Sequence, residues 1–439
     1  VAIGGTNRFQ QSERGAHALK KTACLFLAAL LMCVSARPLY AQRTEAMTVA
    51  ELRCEYLEAP LAIDTREPRL SWQVESTARG ARQTAYRIIV ASTSARLLSD
   101  QGDLWDTGKV TSNSTIQIAY QGKPLQSRQQ CFWKVRVWDQ NDKPSNWSKP
   151  ERWAMGLMNS ADWSAKWAGD KAPSVENVSA TMLRREFTLA SRVNRAVVYA
   201  SALGVYELHI NGRRVGDQLL APEFTDYHAR TQYQAYDVTQ LLKPGANAIG
   251  AVLGDGWYAG GIGLAQALIK KSRNIYGDHP RFIAQLEIEF SNGSKQRVIT
   301  EESWRTSREG PILRSDILDG EAYDARREMP GWDSPGFDDK SWRAADIAAG
   351  AGTLLVAQPN EPIRGSRELK PISLTEPKPG VFVFDLGQNM AGWCRMKAQG
   401  AAGTTVTLRH AEMLSDDGTI YTDNLRAAKQ SDTYTFRGG

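Results

Sequence analysis

Three features of the 439-residue sequence predict an all-β chain built as tandem β-sandwiches. Beyond the first forty or so residues, apolar and polar residues alternate over short runs, the pattern of strands with one face on a core. Gly, Pro and Asn punctuate those runs as turns do. Helical periodicity is almost lacking. At about 150 residues per domain, the length suggests roughly three domains. A hydrophobic content of 42% with 23% charged residues suits an ordinary globular protein able to build cores.

The N-terminal residues 1–41 read as an export signal. Basic residues ending at Lys20-Lys21 precede an apolar run from Thr22 to Val34, then small residues with cleavage points after Ala36 or Ala41. That run is shorter than the roughly 20 residues needed to cross a bilayer, so no transmembrane helix is expected. The expected location is secreted or periplasmic. This segment carries a net charge of +4, which leaves only +2 of the whole-chain +6 for the remainder. Nucleic-acid binding is therefore not expected. Cys24 and Cys33 fall inside the signal; Cys54, Cys131 and Cys394 remain, with no metal-ligand spacing. Whether Cys54 and Cys131 pair is left open by the sequence.

The first module, residues 47–160, reads as a fibronectin-III/Ig-like sandwich. Cys131, Trp133, Val135 and Val137 alternate with Phe132, Lys134, Arg136 and Trp138, giving one strand two distinct faces. Tyr86 to Ala91 is a second strand, and Leu104 to Gly108 a short edge. Eight of the 13 tryptophans lie between Trp72 and Trp167, which suits a small core filled by bulky rings. Trp147 and Trp153 are the better candidates for an exposed face on which a sugar could stack.

The second module, residues 162–347, reads as a galactose-binding-like jelly roll. Tyr206, Leu208 and Ile210 alternate with Glu207 and His209. Asn211-Gly212 then supplies the positive-φ pair of a tight hairpin. Ile249 to Leu253 is a near-continuous apolar strand, as burial on both faces requires. The segment Gly336 to Trp342 resembles the closing stretch of such jelly rolls. The third module, residues 354–439, is predicted as an incomplete β-sandwich with strands at Val381 to Phe384 and Thr404 to Leu408.

Few residues carry recognisable chemistry. Glycoside hydrolysis needs two carboxyl groups flanking the bond, but Glu412, Asp416 and Asp417 read as turn chemistry around Gly418. Asp316, Asp319, Glu321 and Asp324 form an acidic group whose oxygens could hold Ca²⁺, although the spacing is not that of an EF-hand and Arg326-Arg327 follow at once. No resident cofactor is otherwise expected. The loop Gly254 to Tyr258 is the best ligand candidate. Its glycines allow close approach, Asp255 could take sugar hydroxyls, and Trp257 and Tyr258 offer stacking faces. Asp226 and Tyr227 are weaker candidates of the same kind. No nucleophile elbow, phosphate loop or dinucleotide fingerprint is present.

Several segments together resemble the bacterial α-L-rhamnosidases of glycoside hydrolase family 78. They include Leu70 to Gln73, Trp105 to Gly108, Ser201 to Leu208, Ala221 to Tyr227, Gly320 to Arg326, Phe384 to Trp393 and Leu408 to Leu414. Their order and number carry the resemblance. It implies inverting hydrolysis of terminal α-L-rhamnosyl groups by two glutamates on an (α/α)₆ barrel. It also implies a rhamnose-containing glycan or glycoside as partner. These segments precede that barrel in the family, so the barrel is expected to be missing from this chain. No catalytic residue is carried over, and the chain alone is expected to be inactive. The alternative is a non-catalytic extracytoplasmic carbohydrate-binding or adhesion module.

Overall fold

The computed structural model describes residues 47–173, 179–263, 268, 272–348 and 352–438. The predicted export signal lies outside the described residues. Strands dominate throughout, and among the described residues no helix is long and apolar enough to cross a membrane.

In the first sandwich, Thr48–Cys54 pairs with Arg69–Glu75, which pairs in turn with Ile118–Ala119. The second sheet runs Trp105–Asp106, Ala85–Ala91, Gln130–Trp138, Glu151–Ala154 in spatial order. The predicted alternation holds: Cys131, Trp133, Val135 and Val137 join Leu70, Trp72 and Ile88 in one core. The Trp72 indole N–H donates to Gln83 at 3.0 Å, so the ring is buried without an orphaned donor. Two expectations are corrected here. Trp153 is only 1% exposed, because Glu151–Ala154 joins the sheet opposite Cys131 and turns that ring inward, edge-on to Trp133. Trp147 is half-buried, with the Lys134 ammonium 4.9 Å and the Arg136 guanidinium 4.5 Å from its ring centroid. Cations occupy the ring that a sugar would have needed.

The jelly roll faces a six-stranded sheet against a seven-stranded one. In the first, Arg213–Arg214, Val205–Ile210, Gly245–Gly254, Thr181–Leu189, Arg305–Ser307 and Arg343–Ala344 lie side by side. The second is built around Arg281–Phe290, Val193–Leu203 and Arg230–Asp237. Leu183, Tyr206, Leu208, Ile249, Leu253, Phe282 and Trp304 fill the space between them. Gly245–Gly254 is nearly continuous in apolar residues because both faces are covered, Ile249, Ala251 and Leu253 by the core and Gly250 by the Trp332 ring. The hairpin at Asn211-Gly212 forms as predicted, with φ of 52° and 79°.

Asp64 ties the parts together. It accepts the Tyr233 hydroxyl at 2.7 Å and the backbone N–H of Ala357, while Tyr233 accepts the N–H of Leu157 at 2.8 Å. Ala357 ends the strand Leu354–Ala357, which lies parallel to Arg230–Asp237. One carboxylate thus touches the first sandwich, the jelly roll and the approach to the third module.

The third module is not closed on itself. Its four-stranded sheet runs Ile312–Asp316, Gly320–Asp324, Ser431–Thr435, Thr405–Arg409, so its first two strands come from residues assigned by sequence to the jelly roll. Tyr323 and Tyr434 stack across the shared edge with ring planes 4° apart. A separate hairpin, Ser373–Lys378 with Val381–Asp385, leaves Leu374, Phe382 and Phe384 more than half exposed. Trp393, Met413 and Leu414 are exposed as well.

Candidate functional site

The loop that leaves the central strand Gly245–Gly254 becomes the short helix Gly256–Ala259, which carries Trp257 and Tyr258. Two close approaches force glycine here. A Cβ on Gly204 would sit 2.5 Å from the Gly254 carbonyl, and one on Gly256 would sit 2.8 Å from Gly204. The turn therefore lies flat on the neighbouring strand connection and presents its aromatic residues to one end of the sandwich.

Those residues meet others that the sequence did not single out. Tyr227 lies 5.4 Å from Tyr258 and 5.2 Å from Tyr276, ring centroid to ring centroid. Phe224 lies 5.9 Å from Trp257 and 6.2 Å from Tyr276, and His228 lies 5.0 Å from Tyr276. The structure thus gathers Tyr227, Trp257 and Tyr258 into one aromatic cluster. Their exposures differ. Tyr227 is buried, its hydroxyl donates to the Glu223 carbonyl, and burial pushes its pKa well up. Phe224 is about half exposed. Asp226 is exposed, and it accepts the N–H of His228 at 3.1 Å as a turn residue. Asp255 is engaged elsewhere, in an ion pair with Arg273 at 2.5 Å. The loop glycines, the Trp-Tyr pair, Asp226 and Tyr227 were legible in the sequence as site candidates; Phe224, His228 and Tyr276 were not singled out for the site and join it only through the fold.

The acidic group behind this loop is largely neutralised by cations of the chain itself. Arg273 bridges Asp255 and Asp316, Lys429 pairs with Asp319 at 3.0 Å, and Arg326 pairs with Asp324 at 2.8 Å. Asp316 also accepts the N–H groups of Gly261, Leu318 and Asp319. Among the described residues, no three His, Cys, Asp or Glu side chains converge on a point that would hold a metal ion. In the third module, Asp417 accepts both the N–H and the hydroxyl of Thr419 and pairs with Lys378, which hold its pKa well down. This is the turn chemistry read from the sequence. Cys54 and Cys131 stand as free thiols in the first core, where burial pushes the Cys131 thiol up to about 12.

A second recess opens on the outer face of the six-stranded sheet. Glu207 and His209 project from Val205–Ile210 on the face opposite the buried Tyr206 and Leu208. The loop carrying Trp332 and Asp333 covers part of that sheet. His209 Nδ1 lies 2.8 Å from Asp333 and its ring 5.2 Å from that of Trp332. Burial opposes a charge on His209, but Glu207 and Asp333 outweigh it and raise the pKa.

Comparison with known proteins gives this architecture a family. Residues 49–159 match the N-terminal immunoglobulin domain of Rha78A-like proteins, 191–367 the α-L-rhamnosidase N-terminal domain, and 375–439 the bacterial α-L-rhamnosidase concanavalin-like domain. The chain carries the N-terminal domains of the bacterial α-L-rhamnosidases. An α-L-rhamnosidase of Streptomyces avermitilis is 35% identical, over 90% of this chain and 54% of its own length. One from Formosa agariphila is 38% identical, over 87% of this chain and 41% of its own. The chain therefore spans about half the length of the curated rhamnosidases it matches. The crystal structure of the Streptomyces avermitilis enzyme complexed with L-rhamnose superposes with a TM-score of 0.83 at 34% identity, covering 90% of this chain and 54% of that one. The Aspergillus terreus rhamnosidase gives 0.82 at 32% identity, covering 90% and 44%.

Proposed function

We propose that this chain is the accessory, substrate-side half of an exported α-L-rhamnosidase that removes terminal α-L-rhamnosyl groups from glycans or glycosides with inversion. The observation that carries this reading is the succession of three rhamnosidase domains in one chain, at about half the length of whole rhamnosidases. The exposed apolar side chains of the third module support it. Leu374, Phe382, Phe384 and Trp393 are large apolar side chains of the kind that folded domains cover with a partner when they cluster. In this reading the partner is the catalytic barrel, which supplies the general-acid and general-base carboxylates. The basic and apolar pattern of residues 1–41 supports export. On the aromatic cluster, Trp257 and Asp226 keep surface available for a sugar, whereas Tyr227 and Asp255 act through packing and through Arg273.

The test is hydrolysis of an aryl α-L-rhamnoside. The chain as given should release no nitrophenol, and a chain extended by a catalytic barrel should release it, giving β-L-rhamnose first by NMR. Turnover by residues 1–439 alone would overturn the assignment of chemistry to a separate domain.

A further inference from the structure

The recess on the outer face of the jelly roll has the composition of a ligand site, separate from the loop cluster at the sandwich end. Its volume is about 430 Å³, within the range of small-molecule sites. Met182, Val252, Ile312 and Trp332 give it an apolar floor and wall, while Glu207 and His209 stand at its rim. The wall is held in place. Arg184, fully buried, donates to the Trp332 carbonyl at 2.8 Å and the Ser334 carbonyl at 3.2 Å, and pairs with Asp339. Trp332 also rests where Gly250 has no side chain, since a Cβ there would fall 2.5 Å from the indole.

The polar rim is incomplete in a specific way. His209 Nδ1 is taken by Asp333, which leaves Nε2 facing Glu207 Oε2 across 3.9 Å. That gap is too long for a hydrogen bond. Arg214 is 3.8 Å from the other Glu207 oxygen, so each carboxylate oxygen has a longer-range ion pair and neither has a hydrogen-bonded partner among the described residues. A group entering the gap must donate to the Glu207 carboxylate while meeting His209 Nε2, which donates or accepts according to the tautomer. A hydroxyl meets either state of the ring, donating or accepting as needed, whereas a carboxylate or phosphate cannot donate. The carboxylates of Glu207, Glu328 and Asp333 further repel an anion. A pyranose combines such a hydroxyl edge with an apolar C–H face that suits the Trp332 wall.

We infer that the recess between Glu207, His209 and Trp332 is a second carbohydrate-binding site, taking a neutral pyranose with one hydroxyl lodged between Glu207 and His209. This rests on the reading of the chain as part of a glycan-cleaving protein. It adds a place where the same glycan is held away from the reacting bond.

The experiment is calorimetric titration of the chain with L-rhamnose and, separately, with D-galactose. Glu207 is exposed, so Glu207→Ala leaves the fold intact, and Trp332→Phe keeps a ring in the wall. Saturable L-rhamnose binding that weakens about tenfold in Glu207→Ala and also falls in Trp332→Phe is the expected result. Binding of D-galactose alone, with the same sensitivity to Glu207→Ala, keeps the site and removes rhamnose as its ligand. L-rhamnose binding unchanged in both variants but lost in Trp257→Ala overturns the site while leaving the rhamnosidase reading intact. Absence of binding by either sugar at tens of millimolar also overturns it, and leaves the aryl-rhamnoside assay as the separate judge of the enzyme.

Discussion

Asp64 is a carboxylate enclosed by uncharged hydrogen-bond donors, and its titration has a readable sign. Burial raises its pKa, and the hydrogen bonds from Ala357 and Tyr233 only partly oppose that shift. A carboxyl whose folded pKa lies above its unfolded value makes the folded state less stable once ionised, and that cost disappears as pH falls through the folded pKa. Asp64→Asn removes the titration. Urea denaturation at pH 7 and at pH 4.5 should show the native protein gaining stability relative to Asp64→Asn at the lower pH. A gap between the two proteins that is constant with pH, or that moves the other way, would discard the burial argument. Asp64→Ala is a different test, because it orphans the Tyr233 hydroxyl and the Ala357 N–H. A loss on the order of 2–4 kcal/mol is expected, read by the same denaturation. Neither effect was visible in the sequence, where Asp64 is an ordinary acidic residue in a polar stretch. Its two partners, Tyr233 and Ala357, lie far from it in the chain.

Among the elements, the hairpin at Asn211-Gly212 shows what local sequence does settle. Both residues take positive φ, and the Asn211 side chain accepts the N–H of Ala248 and donates to the Leu241 carbonyl and to Asn247. Asn211→Ala places a non-glycine residue without that side chain in the left-handed region and leaves Ala248 unbonded. The expected cost is on the order of 2–4 kcal/mol, and it should appear as a lower melting temperature of the jelly-roll transition in calorimetry. An unchanged transition would mean the turn adapts without these bonds. The strands at Gln130–Trp138, Val205–Ile210 and Gly245–Gly254 were legible for the same reason: each follows from its own alternation or apolar run. Trp147 and Trp153 were misplaced because alternation assigns faces within a strand but does not say which loop or cation covers a face. The candidate site divided along the same line. The Gly-rich turn with Trp257 could be read locally. Phe224, Tyr276 and the whole Glu207–His209–Trp332 recess depend on segments that only the fold brings together.

For the whole molecule, the distribution of apolar surface is uneven. The first sandwich and the jelly roll bury their cores, whereas the third module exposes Leu374, Phe382, Phe384, Met413 and Leu414. The chain by itself should therefore bind a hydrophobic dye and associate as its concentration rises. Replacing Leu374, Phe382 and Phe384 together by Ser should reduce both effects in dye fluorescence and sedimentation, with the two buried cores melting as before. Dye binding that persists undiminished in the triple variant would place the sticky surface elsewhere.

The lending of Ile312–Asp324 to the third sheet bears on how such enzymes are recombined. A chimera spliced between the second and third modules as read from the sequence would swap in a foreign module whose strand, Ser431–Thr435 in this chain, must find its neighbour Gly320–Asp324 on the host's hairpin. Grafts between rhamnosidases should thus tolerate a junction upstream of Ile312 better than one between the second and third modules. The seam that evolution could cut lies inside the jelly roll.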